Sequence, residues 1–260
     1  MNSHGLKIDS LSFSYPDGGR ILESISLNLE PGKKMAVVGA NGAGKSTLLA
    51  LIAGIYTPES GTVAIGDTAV DKKTMDKARS MLGFVFQDPD DQLFSASVYD
   101  DVAFGPRNQG LEEPVVRSRV EAALKTVGIP DLAKRPPFRL SGGEKRMAAI
   151  ATVLSMDPGL LILDEPSASL DPKARRRLIH LLTSLPQTIL VATHDLDMAL
   201  ELCDEIAVLH DGALVAIGLA SIILKDERLL DRCGLELPLS MQACPVCGLV
   251  KPATTIHAIL

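Results

Sequence analysis

The sequence predicts an α/β fold built around a mostly parallel sheet, and three observations predict it. Lys34-Met35-Ala36-Val37-Val38 is short and apolar, runs into a glycine-rich loop, and is followed by an apolar stretch over 48–53 with no breaker. That order is strand, loop, helix. A second wholly apolar run, 160–163, is too short for a helix and ends in Asp164-Glu165. Runs 189–193 and 205–209 repeat the pattern with a helical stretch between them. Short apolar strands alternating with helices belong to a parallel sheet covered on both faces.

The remaining elements follow in order. Residues 6–13 and 24–30 alternate apolar and polar, as half-buried strands do. Asp17-Gly18-Gly19 is a turn near the first of them. Two more strands are predicted at 61–65 and 83–86. From about 97 to 156 the pattern turns helical: 115–127 has apolar spacing near 3.6, and 141–156 continues it. This block reads as an inserted helical subdomain. Asp171-Pro172 is an N-cap followed by proline in the first helical position, opening a helix to about Leu185. Residues 216–260 lack the strand–helix rhythm and read as a C-terminal extension on a unit spanning 1–215.

Composition narrows the function. The chain has 260 residues, 46% of them hydrophobic, enough for a substantial core. Its net charge of −6 offers no basic face for nucleic acid, and 3% aromatics without tryptophan argue against base stacking. The longest apolar run, near 147–156, is about half of what a bilayer span needs. No secretory signal pattern opens the chain. The expectation is a cytoplasmic protein whose membrane connection, if any, comes through a partner. Four cysteines in a chain of this length do not make a disulfide framework.

Gly39-Ala40-Asn41-Gly42-Ala43-Gly44-Lys45-Ser46-Thr47 matches G-x-x-x-x-G-K-[ST] in the strand–loop–helix context that pattern requires. Glycines let successive N–H groups converge on an anion, and the helix N-terminus adds partial positive charge. Lys45 is placed for the β- and γ-phosphates and Ser46 for Mg²⁺. Asp164 and Glu165 arrive at the C-terminal end of a buried strand, the edge where open parallel sheets bind ligands. Asp164 suits Mg²⁺, and Glu165 suits a general base acting on water. Ser141 with Glu144 three residues later is a capping box. With Gly142 and Gly143 it is also an anion-binding helix start, and the two readings are compatible.

The loop at 39–47, Leu140-Ser141-Gly142-Gly143-Glu144, Leu160-Leu161-Ile162-Leu163-Asp164-Glu165-Pro166, Ser167-Ala168-Ser169-Leu170-Asp171 and Thr193-His194-Asp195 occur in this order. Together they resemble the motif set of ATP-binding cassette ATPases across roughly 5–215. The resemblance implies a P-loop NTPase (RecA-like) core with an antiparallel β subdomain and the inserted helical subdomain. It implies ATP and Mg²⁺ as ligands and ATP hydrolysis as the activity. By likeness, Tyr15 stacks on adenine, Gln87 touches Mg²⁺ and water, and His194 contacts the γ-phosphate. Asp171 reaches across a dimer in which each phosphate loop faces the other chain's Ser141-Gly142-Gly143. Glu144 stands where the family most often has glutamine.

Gln87-Asp88-Pro89-Asp90-Asp91-Gln92-Leu93-Phe94, leading into Ser97-Val98-Tyr99-Asp100-Asp101-Val102-Ala103-Phe104-Gly105-Pro106, resembles the ATPases of energy-coupling-factor transporters, the cobalt and nickel uptake branch in particular. This implies integral membrane partners and a place on the cytoplasmic face of the membrane. It also implies that Asp88, Asp90 and Asp91 form an acidic patch for arginines of the partner's coupling helices. Vitamin uptake by the same machinery is the alternative cargo. A soluble ABC ATPase is the alternative class, though no coiled-coil insertion or second cassette supports it. Cys244-Pro245-Val246-Cys247-Gly248 is half of a zinc site. Zn²⁺ at Cys244 and Cys247 would need further ligands from Cys233, His257, His4 or a second subunit; an inert tail is the alternative.

Overall fold

The computed structural model describes residues 3–16 and 18–243. Two sheets organise it. A four-stranded antiparallel sheet, order β2-β1-β4-β5, contains β1 (Leu6–Ser14), β2 (Arg20–Leu29), β4 (Ser60–Ile65) and β5 (Thr68–Ala69). A six-stranded sheet, order β10-β9-β3-β8-β7-β6, contains β3 (Lys34–Val38), β6 (Leu82–Val85), β7 (Leu160–Asp164), β8 (Thr188–Thr193), β9 (Glu205–His210) and β10 (Ala213–Leu219). Its strands are parallel except β10, which runs antiparallel to β9.

Alternation along the central strands divides the core into two layers. Met35 and Val37 of β3, with Leu160 and Ile162 of β7, face the antiparallel sheet and α1 (Lys45–Ile52). Ala36, Val38, Leu161 and Leu163 face the opposite way, towards α5 (Gly142–Leu154), α6 (Pro172–Ser184) and α7 (Leu196–Leu202). Between β6 and β7 the chain leaves the sheet for α3 (Val98–Asn108), α4 (Glu113–Thr126) and α5, the inserted helical block that the apolar spacing predicts. A short helix, α2 (Met75–Met81), precedes β6.

The predicted boundary at 215 falls inside β10. Residues 216–243 do not stand apart. β10 completes the sheet, and α8 (Ala220–Ile223) and α9 (Glu227–Arg232) lay Leu224, Leu229, Leu230 and Cys233 into the core at 7% exposure or less. The outer strand alternates with half-exposed residues, so its periodicity is weaker than that of the buried strands. Its apolar contributors come from two very short helices, which carry little pattern.

Register sets the site. Val38 pairs with Thr193, Asp164 with Ala192, and Val85 with Leu163. The C-terminal ends of β3, β8, β7 and β6 therefore open on one edge. They deliver the phosphate loop, His194, the Asp164–Glu165 pair and Gln87 to the same crevice.

Candidate nucleotide site

The loop after β3 turns into α1 through Gly44, whose φ of 102° no side chain with a Cβ adopts easily. No side chain caps α1, and its first turn carries no acidic residue. Its N–H groups and dipole are thus directed at the crevice, as phosphate binding requires. Tyr15, Asn41, Gly42, Gly44, Lys45, Ser46, Thr47, Gln87, Glu165 and His194 line one hollow of about 430 Å³, joined by Ile21, which sequence reasoning did not single out. Gly39 and the buried Ala43 lie under the loop rather than on its surface.

Lys45 is 7% exposed and donates to the Gly39 and Ala40 carbonyls at 2.8 and 3.2 Å. Its Nζ lies 3.8 Å from Glu165 Oε1. Burial lowers the ammonium's pKa, against the opposing pull of Glu165 and Asp164. The side chain thus braces the loop and keeps a cation at the crevice, an arrangement suited to phosphate oxygens.

Asp164 ends β7, buried behind the loop. Burial raises its pKa above the ordinary carboxylate range, partly offset by a hydrogen bond from Ser46. Its Oδ1 is buried with no hydrogen-bond partner among the described residues. An orphaned carboxylate oxygen beside a serine hydroxyl is an oxygen donor set that fits Mg²⁺, and Gln87, which lines the same hollow as Ser46, would add a third oxygen. A bound Mg²⁺ supplies positive charge against the triphosphate.

Glu165 sits at φ 42°, a strained conformation for a residue with a side chain. Its Oε2 faces His194 Nδ1 at 2.8 Å, the Thr193 hydroxyl at 3.2 Å and the His194 amide at 3.3 Å. The strain aims a carboxylate that is 7% exposed at the pocket wall formed by the end of β8. His194 is mostly exposed, free to meet a ligand with its other nitrogen. Tyr15 is held by its hydroxyl on Thr47 Oγ1 at 3.1 Å, with its ring edge-on to Phe13 and Tyr56 at 5.1 and 5.5 Å. An aromatic fixed at the pocket mouth suits stacking on a base.

Ser141, Gly142, Gly143 and Asp171 are absent from the lining of this hollow. Ser141 caps α5 reciprocally with Glu144: Ser141 N–H donates to Glu144 Oε2 at 2.8 Å and Glu144 N–H to Ser141 Oγ at 3.4 Å. The Ser141 amide and hydroxyl, which donates to the same Oε2 at 2.9 Å, hold the Glu144 pKa down. The predicted capping box is therefore formed. Gly143 lies so near α6 that a Cβ would stand 3.0 Å from Ala174 Cβ. Asp171 caps α6, its Oδ1 accepting from the Lys173 and Ala174 amides at 2.8 and 2.9 Å.

The acidic patch is not the free cluster its sequence suggests. Asp90 is bound by Lys145 Nζ at 2.6 and 2.7 Å, and Asp88 Oδ1 accepts from the Asp90 amide at 2.9 Å. The acid that sequence reasoning left aside is Asp101. It is 3% exposed, with Oδ1 accepting from the Phe94 and Ser95 amides at 3.1 and 2.9 Å and Oδ2 buried without a partner among the described residues. Cys244, Cys247 and His257 lie outside the described residues. Cys233 is packed in the core at 1% exposure. Among the described residues no group of three His, Cys, Asp or Glu is placed to hold a metal ion.

Arg175 was also unforeseen. It clamps Asp195 through Nε–Oδ2 at 2.7 Å and Nη2–Oδ1 at 2.9 Å, anchoring the turn that carries His194. Burial alone would raise the Asp195 pKa; the hydrogen bonds from Arg175 and the Met198 amide outweigh it and hold it low. A carboxyl depressed in the folded state contributes stability above its unfolded pKa and loses it as pH falls through the folded value. Arg175→Met is therefore expected to cost about 2 kcal/mol at neutral pH, and the difference from the parent should close as Asp195 protonates. Urea unfolding at pH 7 and at a series of lower pH values reaching below the ordinary carboxylate range checks this. A deficit that stays constant down to the lowest pH would detach the ion pair from the loss.

Comparison with known proteins agrees with this geometry. The family model described as ABC transporter matches residues 22–168. A putative ABC transporter ATP-binding protein, GSU1281 of Geobacter sulfurreducens, is 51% identical over 95% of this chain and all of the relative. An energy-coupling factor transporter ATP-binding protein, EcfA of Carboxydothermus hydrogenoformans, is 45% identical over 90% of this chain and 87% of its own length. Among solved structures, cbiO1 from Clostridium perfringens, described as part of the ABC transporter complex cbiONQ, superposes with a TM-score of 0.79 at 40% identity, covering 91% of this chain and 97% of that one. The chain belongs to the ATP-binding cassette family, the ATPases whose hydrolysis of ATP is coupled to transport.

Proposed function

We propose that this chain is the ATPase subunit of a membrane importer of the energy-coupling-factor type, taking up cobalt or nickel ions. The observation that carries the importer reading is a groove of about 830 Å³ just beyond Gln87, lined by Phe86, Phe94, Phe104, Asp91 and Asp101 among others. Phe86, Phe94 and Phe104 are 39%, 66% and 48% exposed. Covering the part of each ring still exposed would yield about 1 kcal/mol, roughly half the value for a whole side chain, and clustered exposed aromatics mark a protein contact. The unpartnered Asp101 oxygen and Asp91 add a preference for a cation. An apolar partner helix carrying an arginine matches both. Among the described residues no helix is long and apolar enough to cross a membrane, so the reading places the chain peripherally, on the cytoplasmic face.

Energy-coupling-factor names among close relatives support this class. The metal cargo rests on the likeness of segment 87–106 to the cobalt and nickel branch; vitamin uptake is the alternative. The working unit is a dimer with a second copy or a close relative. Gly142 lines a hollow shared with Gln87 and Ser169 rather than the phosphate-loop pocket, so a second chain is needed to bring a Ser141-Gly142-Gly143 helix start to each nucleotide. Within each site Lys45 and the α1 N-terminus hold the phosphates. Glu165 takes the proton of the attacking water while His194, at hydrogen-bond distance from it, orients the γ-phosphate.

The test is capture of tagged Glu165→Gln protein with ATP from native membranes. Integral membrane subunits should co-purify, and Phe94→Ala with Asp101→Asn should release them. Uptake of radioactive cobalt or nickel by the captured assembly separates metal from vitamin cargo. Recovery of soluble partners alone would transfer the chain to the soluble ABC ATPases.

A further inference from the structure

Arg146 is the largest fully buried side chain, at 2% exposure. Among the described residues no carboxylate accepts a hydrogen bond from it. Its two terminal nitrogens instead donate to consecutive main-chain carbonyls, Nη1 to Phe86 at 2.7 Å and Nη2 to Gln87 at 2.6 Å, and Nε has no partner among those residues. A buried guanidinium without a bonded counter-ion is a costly way to fill space. The planar fork is, however, well suited to fixing two adjacent oxygens in one geometry. The preceding residue, Lys145, grips the same segment four residues further along through both Asp90 oxygens. Both side chains leave the first turns of α5, the helix that Ser141 caps, so that helix holds segment 86–90 at two points.

We propose that Arg146 is a positioning residue for Gln87. It fixes the main chain at Phe86 and Gln87 from α5, so that the Gln87 side chain faces the nucleotide pocket. With the Lys145–Asp90 pair it makes the Ser141-Gly142-Gly143 helix start and segment 86–90 move as one body. This rests on the assignment of Gln87 to the site, which Gln87→Ala tests alone.

The experiment is a double-mutant cycle on purified protein, reading kcat for ATP hydrolysis and nucleotide Kd. Arg146→Lys keeps the charge but cannot span both carbonyls. It should lower kcat about tenfold, since small displacements of positioned groups cost that much or more, with ATP Kd changed less than about twofold because the phosphate loop is untouched. Combined with Gln87→Ala it should add almost nothing, because groups acting through one another are not additive. If kcat is kept while only thermal stability falls, or if the two losses multiply, the proposal is overturned. If Gln87→Ala leaves kcat at the parent value, the Gln87 assignment fails and takes the proposal with it; a failure at Arg146 leaves that assignment standing. Should Arg146→Lys not fold, the charge exchange Asp90→Lys with Lys145→Asp reads the same tie. Loss of kcat in each single variant and recovery in the pair supports it, and unchanged kcat in both singles overturns it.

Discussion

Glu165→Gln is expected to bind ATP as tightly as the parent and to lose hydrolysis by about 10²–10⁴-fold, the usual contribution of general-base catalysis. The geometry is specific about why. Glu165 is 7% exposed, held in a strained backbone conformation, and its Oε2 already meets the Thr193 hydroxyl, the His194 amide and His194 Nδ1. Glutamine preserves the volume and one acceptor oxygen, so the fold and the pocket should persist. What it removes is the basicity that the proposed role of Glu165 requires for drawing a proton from water. With ATP bound and not turned over, the variant should accumulate as a closed dimer, visible by size-exclusion chromatography with ATP and absent without it. Hydrolysis at the parent rate would mean that another group takes the proton.

Lys45→Ala is expected to weaken ATP binding on the order of 100-fold, the equivalent of two charge-assisted hydrogen bonds. Calorimetric titration of the variant measures it. The lysine's two present partners, the Gly39 and Ala40 carbonyls, are main-chain oxygens of the loop, so its removal also loosens the cradle. Fold stability should change little, because burial already disfavours this ammonium. An unchanged Kd would mean that the pocket beneath Tyr15 holds something other than a triphosphate.

The phosphate loop, the Asp164–Glu165 pair and the Ser141 capping box were legible in the sequence because each is complete within a few residues. A G-x-x-x-x-G-K-S stretch needs only its own backbone and the helix it opens, and a capping box closes within four residues. The acidic patch read worse. Asp88 and Asp90 are adjacent to Gln87 in sequence, but the residue that neutralises Asp90 is Lys145, 55 positions away. Asp101, which keeps an unpartnered oxygen, looked like one ordinary acid among several. Arg146 and Arg175 carried no sequence signal. One lies among the apolar residues of α5 and the other in a basic run on α6, and their partners are 59 and 20 residues distant.

The sequence alone thus determined the chemistry available to this protein: a phosphate cradle, paired carboxylates and a capped helix start, all set by local backbone geometry and short-range hydrogen bonds. Tertiary structure decided which of these meet. The parallel register of β3, β8, β7 and β6 brings Lys45, His194, Glu165 and Gln87 to one edge, while the helical insertion keeps Ser141 away from that pocket. It also decided that 216–243 belong to the core, that Asp90 is spoken for, and that a buried arginine holds the chain at Gln87. The reason is physical. Hydrogen bonds and burial between segments tens of residues apart depend on where packing places the segments, and no local pattern records that placement.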